Sequence, residues 1–140
     1  MPKLDGRCLC GNVTYSCDAE PVTTAVCHCT DCQRQTGASF STIVAVPRDA
    51  LQVEGRDSLG SFTTVGTDSG QEVSRQFCRE CGSPVMSLAE AMPEVAFIKA
   101  GTLDDTSWLE PQVHVWCDSA QPWFPLESHT GPKLPRGVSA

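Results

Sequence analysis

The chain has few aromatic residues and no long apolar run, and both shortages limit what it can be. Aromatic residues make up 6% of the 140 positions, so we expect one domain with a modest hydrophobic core. No stretch approaches the roughly eighteen apolar residues of a membrane-spanning helix, so we expect no membrane partner. The first residues also lack the apolar segment of a secretory signal, and we therefore expect a cytoplasmic protein.

Positive charge is scarce as well. The chain carries 10 lysines and arginines against 17 acidic residues, which gives a formal net charge of −7. A surface of this sign repels phosphate backbones, and no run of basic residues provides a local exception. We therefore predict that the protein binds no nucleic acid. Association into a homo-oligomer is left open by the sequence.

Cysteine, in contrast, is abundant and clustered. Seven of the nine cysteines lie in three clusters: Cys8-x-Cys10, Cys27-x-Cys29-x-x-Cys32 and Cys78-x-x-Cys81. In a reducing cytoplasm, clustered cysteines bind metal more often than they form disulfides. Zinc prefers four ligands, so seven sulfurs predict two zinc ions, one in a closed four-cysteine site and one in a three-cysteine site with a free position. A closed site stabilises a fold, whereas an ion with a free position can take part in chemistry.

Two of these clusters share a glycine directly after the second cysteine, Gly11 and Gly82. Glycine tolerates the left-handed backbone that a tight turn around a metal requires, and it lets backbone N–H groups approach the sulfurs. Two such turns facing each other form a closed structural zinc site. Its predicted ligands are Cys8, Cys10, Cys78 and Cys81. A disulfide, or unconnected core cysteines, is the alternative.

The middle cluster has no glycine directly after Cys29 or Cys32 and no fourth cysteine of its own. A short helix after Cys29 would direct Cys32 back towards the metal, and its N-terminal dipole would help to keep the thiols deprotonated. Water or a substrate sulfur could then complete the coordination of a catalytic zinc. The alternative is a second structural site whose fourth ligand comes from Cys17, Cys117, His28 or His114.

Two histidines are candidates for proton transfer at the middle cluster. His28 lies between two of its cysteines, and His114 lies in a predicted strand near Trp116. Each has a structural alternative, since His28 could lie at the surface or behind the ligands and His114 could be packed in its strand. The candidate catalytic residues are therefore Cys27, Cys29, Cys32, His28 and His114.

The remaining pattern is mainly β. Short β-prone runs separated by glycine turns predict strands at 12–17, 39–46, 51–54, 61–65, 72–77, 85–88, 95–99 and 113–116. One short helix is predicted to follow Cys29 and to end near Gly37. A second is predicted at 47–51, or as a turn after 102–105. Residues 127–140 have little to bury and are predicted to form a flexible tail after a domain at 4–126.

The order of these motifs resembles a known family. Cys-x-Cys-Gly, Cys-His-Cys-x-x-Cys, Cys-x-x-Cys-Gly and the late Pro111-x-x-His114 and Pro122-Trp123 are similar to the glutathione-dependent formaldehyde-activating enzymes, whose domain centromere protein V shares. The similarity covers residues 4–126. It implies a β-tent-like arrangement of small antiparallel sheets with zinc knuckles. It also places the first and third clusters on a structural zinc and the middle cluster on a catalytic zinc.

The resemblance also implies an activity. The family is named for joining the thiol of glutathione to formaldehyde to give S-(hydroxymethyl)glutathione, a carbon–sulfur lyase reaction in reverse. We therefore expect a two-zinc enzyme that adds a small thiol to a small aldehyde, or removes it. The alternatives are a non-catalytic zinc-stabilised binding module and a redox protein whose middle cluster cycles between metal-bound and disulfide forms. Many members carry a basic residue directly after the third cysteine of the middle cluster, where this chain has Gln33.

Overall fold

The computed structural model describes residues 4–137, which form ten β-strands, one α-helix and five single turns of 3₁₀-helix. The strands are β1 (Leu4–Arg7), β2 (Thr14–Cys17), β3 (Thr23–Cys27), β4 (Ser41–Pro47), β5 (Leu51–Glu54), β6 (Leu59–Val65), β7 (Glu72–Cys78), β8 (Pro84–Ala89), β9 (Val95–Lys99) and β10 (Val113–Val115). The helix α1 is Thr30–Thr36. The 3₁₀ turns are Arg48–Ala50, Arg56–Ser58, Ala100–Thr102, Cys117–Ser119 and Leu126–Ser128.

The strands form two sheets of unequal size. The small sheet has the order β1-β2-β5, and the large sheet has the order β10-β3-β4-β9-β8-β7-β6. All neighbouring strands are antiparallel except β10, which runs parallel to β3. The prediction of a mainly β fold with small sheets and cysteine clusters is confirmed.

The main hydrophobic core lies between the small sheet and one face of the large sheet. Strand residues point alternately to the two faces of a sheet, so every second residue of β4 and β9 enters this core. Val44 and Val46 from β4 pack there with Ile98 from β9, each fully buried, against Leu4 and Tyr15 of the small sheet. The intervening residues of the same strands, among them Ile43, Phe97 and Lys99, face a cavity on the other side of the large sheet.

Two strands were not predicted from the sequence. β1 lies in a run of only four residues that includes Gly6, so it carries little β signal. β3 is a β-prone run that ends at Cys27, the first cysteine of the middle cluster, and it was not recognised as a strand beside the metal motif. The predicted helix after Cys29 is present and ends at Gly37, whose left-handed backbone (φ 72°) closes the last turn. The second predicted helix is the 3₁₀ turn Arg48–Ala50.

The C-terminal segment lies beside β10. His114 N–H donates to the Pro132 carbonyl (2.9 Å), Leu134 N–H to the His114 carbonyl (2.8 Å), and Trp116 N–H to the Arg136 carbonyl (3.1 Å). The domain boundary at 126 and the flexibility of 127–140 stay predictions, and positions 138–140 lie outside the described residues. Pro132, Leu134 and Arg136 of this segment are nevertheless hydrogen-bonded along the edge of the large sheet.

Helices contribute little to this fold. α1 is seven residues long, and none of the helices within residues 4–137 has the length and hydrophobicity to cross a bilayer.

Candidate metal centres

The first and third clusters come together as a group of four sulfurs, the four-cysteine group. The sulfurs of Cys8, Cys10, Cys78 and Cys81 all lie within 4.8 Å of one another. The Cys8 and Cys10 sulfurs are 3.6 Å apart, and the Cys10 and Cys78 sulfurs are 3.7 Å apart. Four ligands at the usual zinc–sulfur distance would be about 3.8 Å from one another at the corners of a tetrahedron. The donor set and its spacing therefore fit one zinc ion.

The backbone around this group has the form that the sequence predicted. Gly11 (φ 84°) and Gly82 (φ 80°) are both in the left-handed region. Val13 N–H donates to the Cys8 sulfur (3.3 Å), so a backbone dipole faces a ligand from outside the group. Hydrogen bonds from the Ser83 hydroxyl and backbone lower the pKa of Cys81 to about 5. These hydrogen bonds favour the thiolate form of Cys81.

The middle cluster forms a second group, the three-cysteine group. Cys27 is the last residue of β3, Cys29 is the N-cap of α1, and Cys32 lies in the first turn of that helix. Their sulfurs also lie within 4.8 Å of one another. Cys32 N–H donates to the Cys29 sulfur (3.2 Å), which fixes the turn that gathers the ligands. This group can hold a metal ion as well.

No fourth protein ligand joins the three-cysteine group within residues 4–137. The four side chains considered from the sequence all lie elsewhere: Cys17 in the main core, Cys117 in a 3₁₀ turn, and His28 and His114 in a pair of their own. Within the described residues, the ligands of this group are therefore the three cysteines of the sequence motif, Cys27, Cys29 and Cys32.

Two cations, Arg75 and Lys99, lie beside the three-cysteine group, and neither was predicted from the sequence. Arg75 in β7 donates from Nη1 to the Cys32 sulfur (3.6 Å) and from Nε to Thr64 Oγ1 (3.0 Å). Lys99 in β9 donates to the Ser41 hydroxyl (2.9 Å), and Ser41 pairs with Cys27 across β3 and β4. Both cations are buried, at 7% and 6% exposure.

These cations change the electrostatics of the sulfurs. Hydrogen bonds from the Cys27 and Cys29 thiols, with the charge of Lys99 and the hydrogen bond from Arg75, lower the pKa of Cys32 below its usual range. The pKa of Cys27 is raised, first by its hydrogen bond with Cys29. Buried cations need a nearby negative charge. Within the described residues neither forms an ion pair with a carboxylate. The hydrogen bond with Cys32 and the charges of Cys32, Cys29 and Asp31 raise the pKa of Arg75.

The three cysteines and both cations line one cavity of about 430 Å³. Its floor is the face of the large sheet that carries Ile43, Val73 and Phe97. The lining also includes Gly66 and Thr67 of the turn after β6 and residues of the C-terminal part: Trp116, Ser119 and Arg136. Arg136 donates from Nε and Nη2 to Asp68 Oδ1 (2.9 and 2.6 Å), which joins the turn to the C-terminal segment.

Gln33, which directly follows the third cysteine of the middle cluster, does not line this cavity. Its side-chain amide donates to the carbonyls of His28 (2.8 Å) and Ser119 (3.1 Å), and its carbonyl accepts from Gln121 (2.7 Å). It therefore ties α1 to the C-terminal part of the chain. Positive charge near the thiols comes instead from the large sheet.

His28 and His114 form a buried pair that does not line the cavity. His28 Nε2 and His114 Nδ1 are 3.1 Å apart, and both residues are at most 1% exposed. The rings of Phe40 and Phe124 pack against His28, at centroid distances of 5.7 and 4.9 Å. The pair is adjacent to the three-cysteine group in sequence, because His28 lies between Cys27 and Cys29. A proton-transfer role for either histidine stays a prediction.

Acid should weaken the fold through His114. Burial, with repulsion from His28 and His129, lowers its pKa from 6.5 to about 4. The unfolded chain therefore binds this proton first, so the stability is complete above pH 6.5 and declines as the pH falls towards 4. The loss should reach about 3 kcal/mol by pH 4, at about 1.4 kcal/mol per pKa unit.

Chemical denaturation of the wild type and of His114→Gln at several pH values measures this loss. Acid also protonates zinc ligands in both proteins, so the difference between the two curves isolates the histidine. Between pH 6.5 and 4 the wild type should lose about 3 kcal/mol more than His114→Gln does; parallel curves would contradict the prediction.

Comparison with known proteins identifies the family of this chain. A family model described as "Glutathione-dependent formaldehyde-activating enzyme" matches residues 3–119, a range that includes all seven clustered cysteines. The chain belongs to this family. The family resemblance expected from the cysteine motifs is thereby confirmed.

Curated relatives within the glutathione-dependent formaldehyde-activating family are distant. A Penicillium rubens protein is 26% identical over 113 residues, which cover 79% of this chain and 57% of the relative. A Podospora anserina protein is 28% identical over 118 residues, which cover 81% and 54%. The names of both assign them only provisionally to the formaldehyde-activating enzymes. The chain thus spans little more than half the length of these relatives.

A solved structure supports the fold. A Rhodobacter sphaeroides protein superposes with a TM-score of 0.58 at 20% sequence identity, covering 93% of this chain and 99% of that one. At this identity the likeness concerns the fold alone.

Proposed function

We propose that the protein is a carbon–sulfur lyase-like enzyme that joins a small thiol to a small aldehyde, or reverses that addition. The observation that carries the proposal is the three-cysteine group, which has no fourth protein ligand within the described residues and lines a 430 Å³ cavity. Glutathione and formaldehyde are the reactants that the family name indicates. A cytoplasmic location, where thiols stay reduced, belongs to the same proposal.

The two groups have different roles in this proposal. The four-cysteine group would hold a structural zinc, while Cys27, Cys29 and Cys32 would hold a second, catalytic zinc and leave room for a further ligand. When bound there, zinc supplies a site at which an incoming thiol loses its proton and is held as a thiolate. Three cysteine ligands suit such sulfur chemistry, since a thiolate-rich site is a weak Lewis acid that leaves a bound sulfur nucleophilic.

Arg75 and Lys99 balance the charge of this centre. Zinc with three cysteine thiolates and one substrate thiolate has a net charge of −2. The buried cations offset this charge in a region of low dielectric, where it would otherwise be costly. Their fixed positions on β7 and β9 also leave them able to attract an anionic thiol such as glutathione.

The chemical step itself is simple. The thiolate sulfur forms a bond to the carbonyl carbon, the π-electron pair moves to the carbonyl oxygen, and that oxygen takes up a proton. The cavity holds the two reactants together, which makes the addition effectively unimolecular. His28 and His114 remain candidate proton carriers within this proposal, although they act from outside the cavity lining.

Metal analysis and a cobalt-substituted protein test the proposal. We expect two zinc ions per chain. After cobalt replaces zinc, glutathione should change the thiolate-to-cobalt absorption of the second site and leave that of the first unchanged. S-methylglutathione, which has no free thiol, is the matched control and should have no effect.

Other outcomes favour the alternatives. A cobalt spectrum that does not respond to any small thiol would contradict an open site and favour a binding module. Loss of the second metal on mild oxidation, with recovery after reduction, would favour the redox protein.

A further inference from the structure

The cavity beside the three-cysteine group continues along the large sheet into a second space of about 290 Å³, which we call the apolar arm. The two spaces share wall residues from the sheet, Ile43, Val73, Ala89 and Phe97, and they share Trp116 from the C-terminal part. The arm is therefore a continuation of the candidate active site, open to any group attached to a molecule bound there.

The two ends of this space differ in chemistry. Near the sulfurs the walls carry Arg75, Lys99 and Asp31. The floor of the arm is apolar and is made of Ala45, Val95, Phe97, Val113 and Met92. The polar residues that line the arm are Thr23 of β3 and Thr67, Asp68 and Ser69 of the turn after β6. A molecule filling both ends would have to be polar at one end and apolar at the other.

Neither reactant that the family name indicates fills the arm well. Formaldehyde has no substituent to place there. Glutathione carries two carboxylates and an ammonium group, and burying an unpaired charge on an apolar floor is strongly unfavourable. These charges match the end that holds Arg75 and Lys99. The arm is thus left for the second reactant, the aldehyde.

We propose, on the basis of the function proposed above, that the aldehyde substrate carries an apolar alkyl or aryl substituent that lies in the arm. The thiol stays at the three-cysteine group and the cations. Its sulfur bonds to the aldehyde carbon, and the carbonyl oxygen takes up the proton that the thiol released. The product is a hemithioacetal whose carbon bears hydrogen, hydroxyl, sulfur and the apolar substituent.

A series of aldehydes tests this proposal on the wild-type zinc protein. The rate of addition of glutathione is measured with formaldehyde, acetaldehyde, butanal, hexanal and phenylacetaldehyde, each as acceleration over the uncatalysed reaction of the same aldehyde. This ratio removes the intrinsic reactivity of formaldehyde. We expect the acceleration to rise by about fourfold for each methylene that enters the arm.

Two variants locate the effect. Ala45→Leu adds bulk to the floor of the arm and should remove the rise along the series. Ala38→Leu makes the same change at an exposed position after α1 and should leave the rise intact.

The possible results are distinct. Acceleration that rises with the apolar substituent, and is lost in Ala45→Leu, supports the proposal. Acceleration of formaldehyde without any such rise overturns it and leaves the proposed function standing. Acceleration that rises with the apolar character of the thiol instead, in reactions of alkanethiols with formaldehyde, also overturns it. No acceleration with any pair overturns both.

Discussion

Replacing Cys78 by serine is expected to unfold the protein. Cys78 ends β7, is 0% exposed, and its sulfur lies 3.7 Å from that of Cys10. A structural zinc with four thiolates contributes roughly 10 kcal/mol or more of apparent binding free energy, which is comparable with the whole stability of a small domain. The variant should therefore bind at most one zinc and show no cooperative thermal transition by circular dichroism.

Cys117→Ser is the matched control for this experiment. Cys117 is half-buried in a 3₁₀ turn and belongs to neither cysteine group. The same change in chemistry should therefore alter the free energy of unfolding by no more than about 1 kcal/mol. If Cys78→Ser melts as cooperatively as Cys117→Ser and at a similar temperature, the four-cysteine group is not the structural site.

The large expected effect follows from where the four-cysteine group lies in the fold. Cys8 and Cys10 follow β1 of the small sheet, whereas Cys78 ends β7 of the large sheet and Cys81 lies in the turn before β8. A zinc ion here links the two sheets across 67 intervening residues, and so restricts the unfolded chain more than a local site can. The three-cysteine group spans only positions 27–32 and closes a short loop.

The sequence predicted the fold class because strand signals and metal turns are local. Strands β4, β5, β6, β7, β8, β9 and β10 lie where β-prone runs between turns placed them, and the left-handed Gly11 and Gly82 follow from the cysteine spacing. The parallel pairing of β10 with β3 was not predictable, because β3 itself was missed and pairing depends on contacts distant in sequence. The hydrogen bonding of the C-terminal segment to β10 was not predictable either, because it too depends on contacts distant in sequence.

The site was predictable only as far as its ligands. Three cysteines within six residues can be recognised from the sequence, because such spacing is typical of a metal site. Arg75 and Lys99 lie 43 and 67 positions after Cys32, in strands with no motif, and only the register of the large sheet brings them to the sulfurs. A basic residue at an inward-facing strand position was the one available signal, since such a residue is rarely buried without a counter-charge.

Replacing Cys29 by serine should abolish activity and leave the fold intact. Cys29 is the N-cap of α1, and its sulfur accepts the Cys32 N–H. Serine is a preferred N-cap residue, so its hydroxyl can keep this hydrogen bond while it replaces a strong zinc ligand by a weak one. Loss of the second zinc should lower the rate of thiol addition on the order of a thousandfold, towards the uncatalysed rate.

Zinc content, melting temperature and the rate of glutathione addition, measured together, check this expectation. Cys29→Ser should retain one zinc per chain and a cooperative transition. Cys29→Ala is the matched comparison: it should lose the same activity and, because the cap is also gone, about 1 kcal/mol more stability than the serine variant. Unfolding of Cys29→Ser as complete as that of Cys78→Ser would make the three-cysteine group a second structural site. Full activity with a single zinc would remove that group from the chemistry.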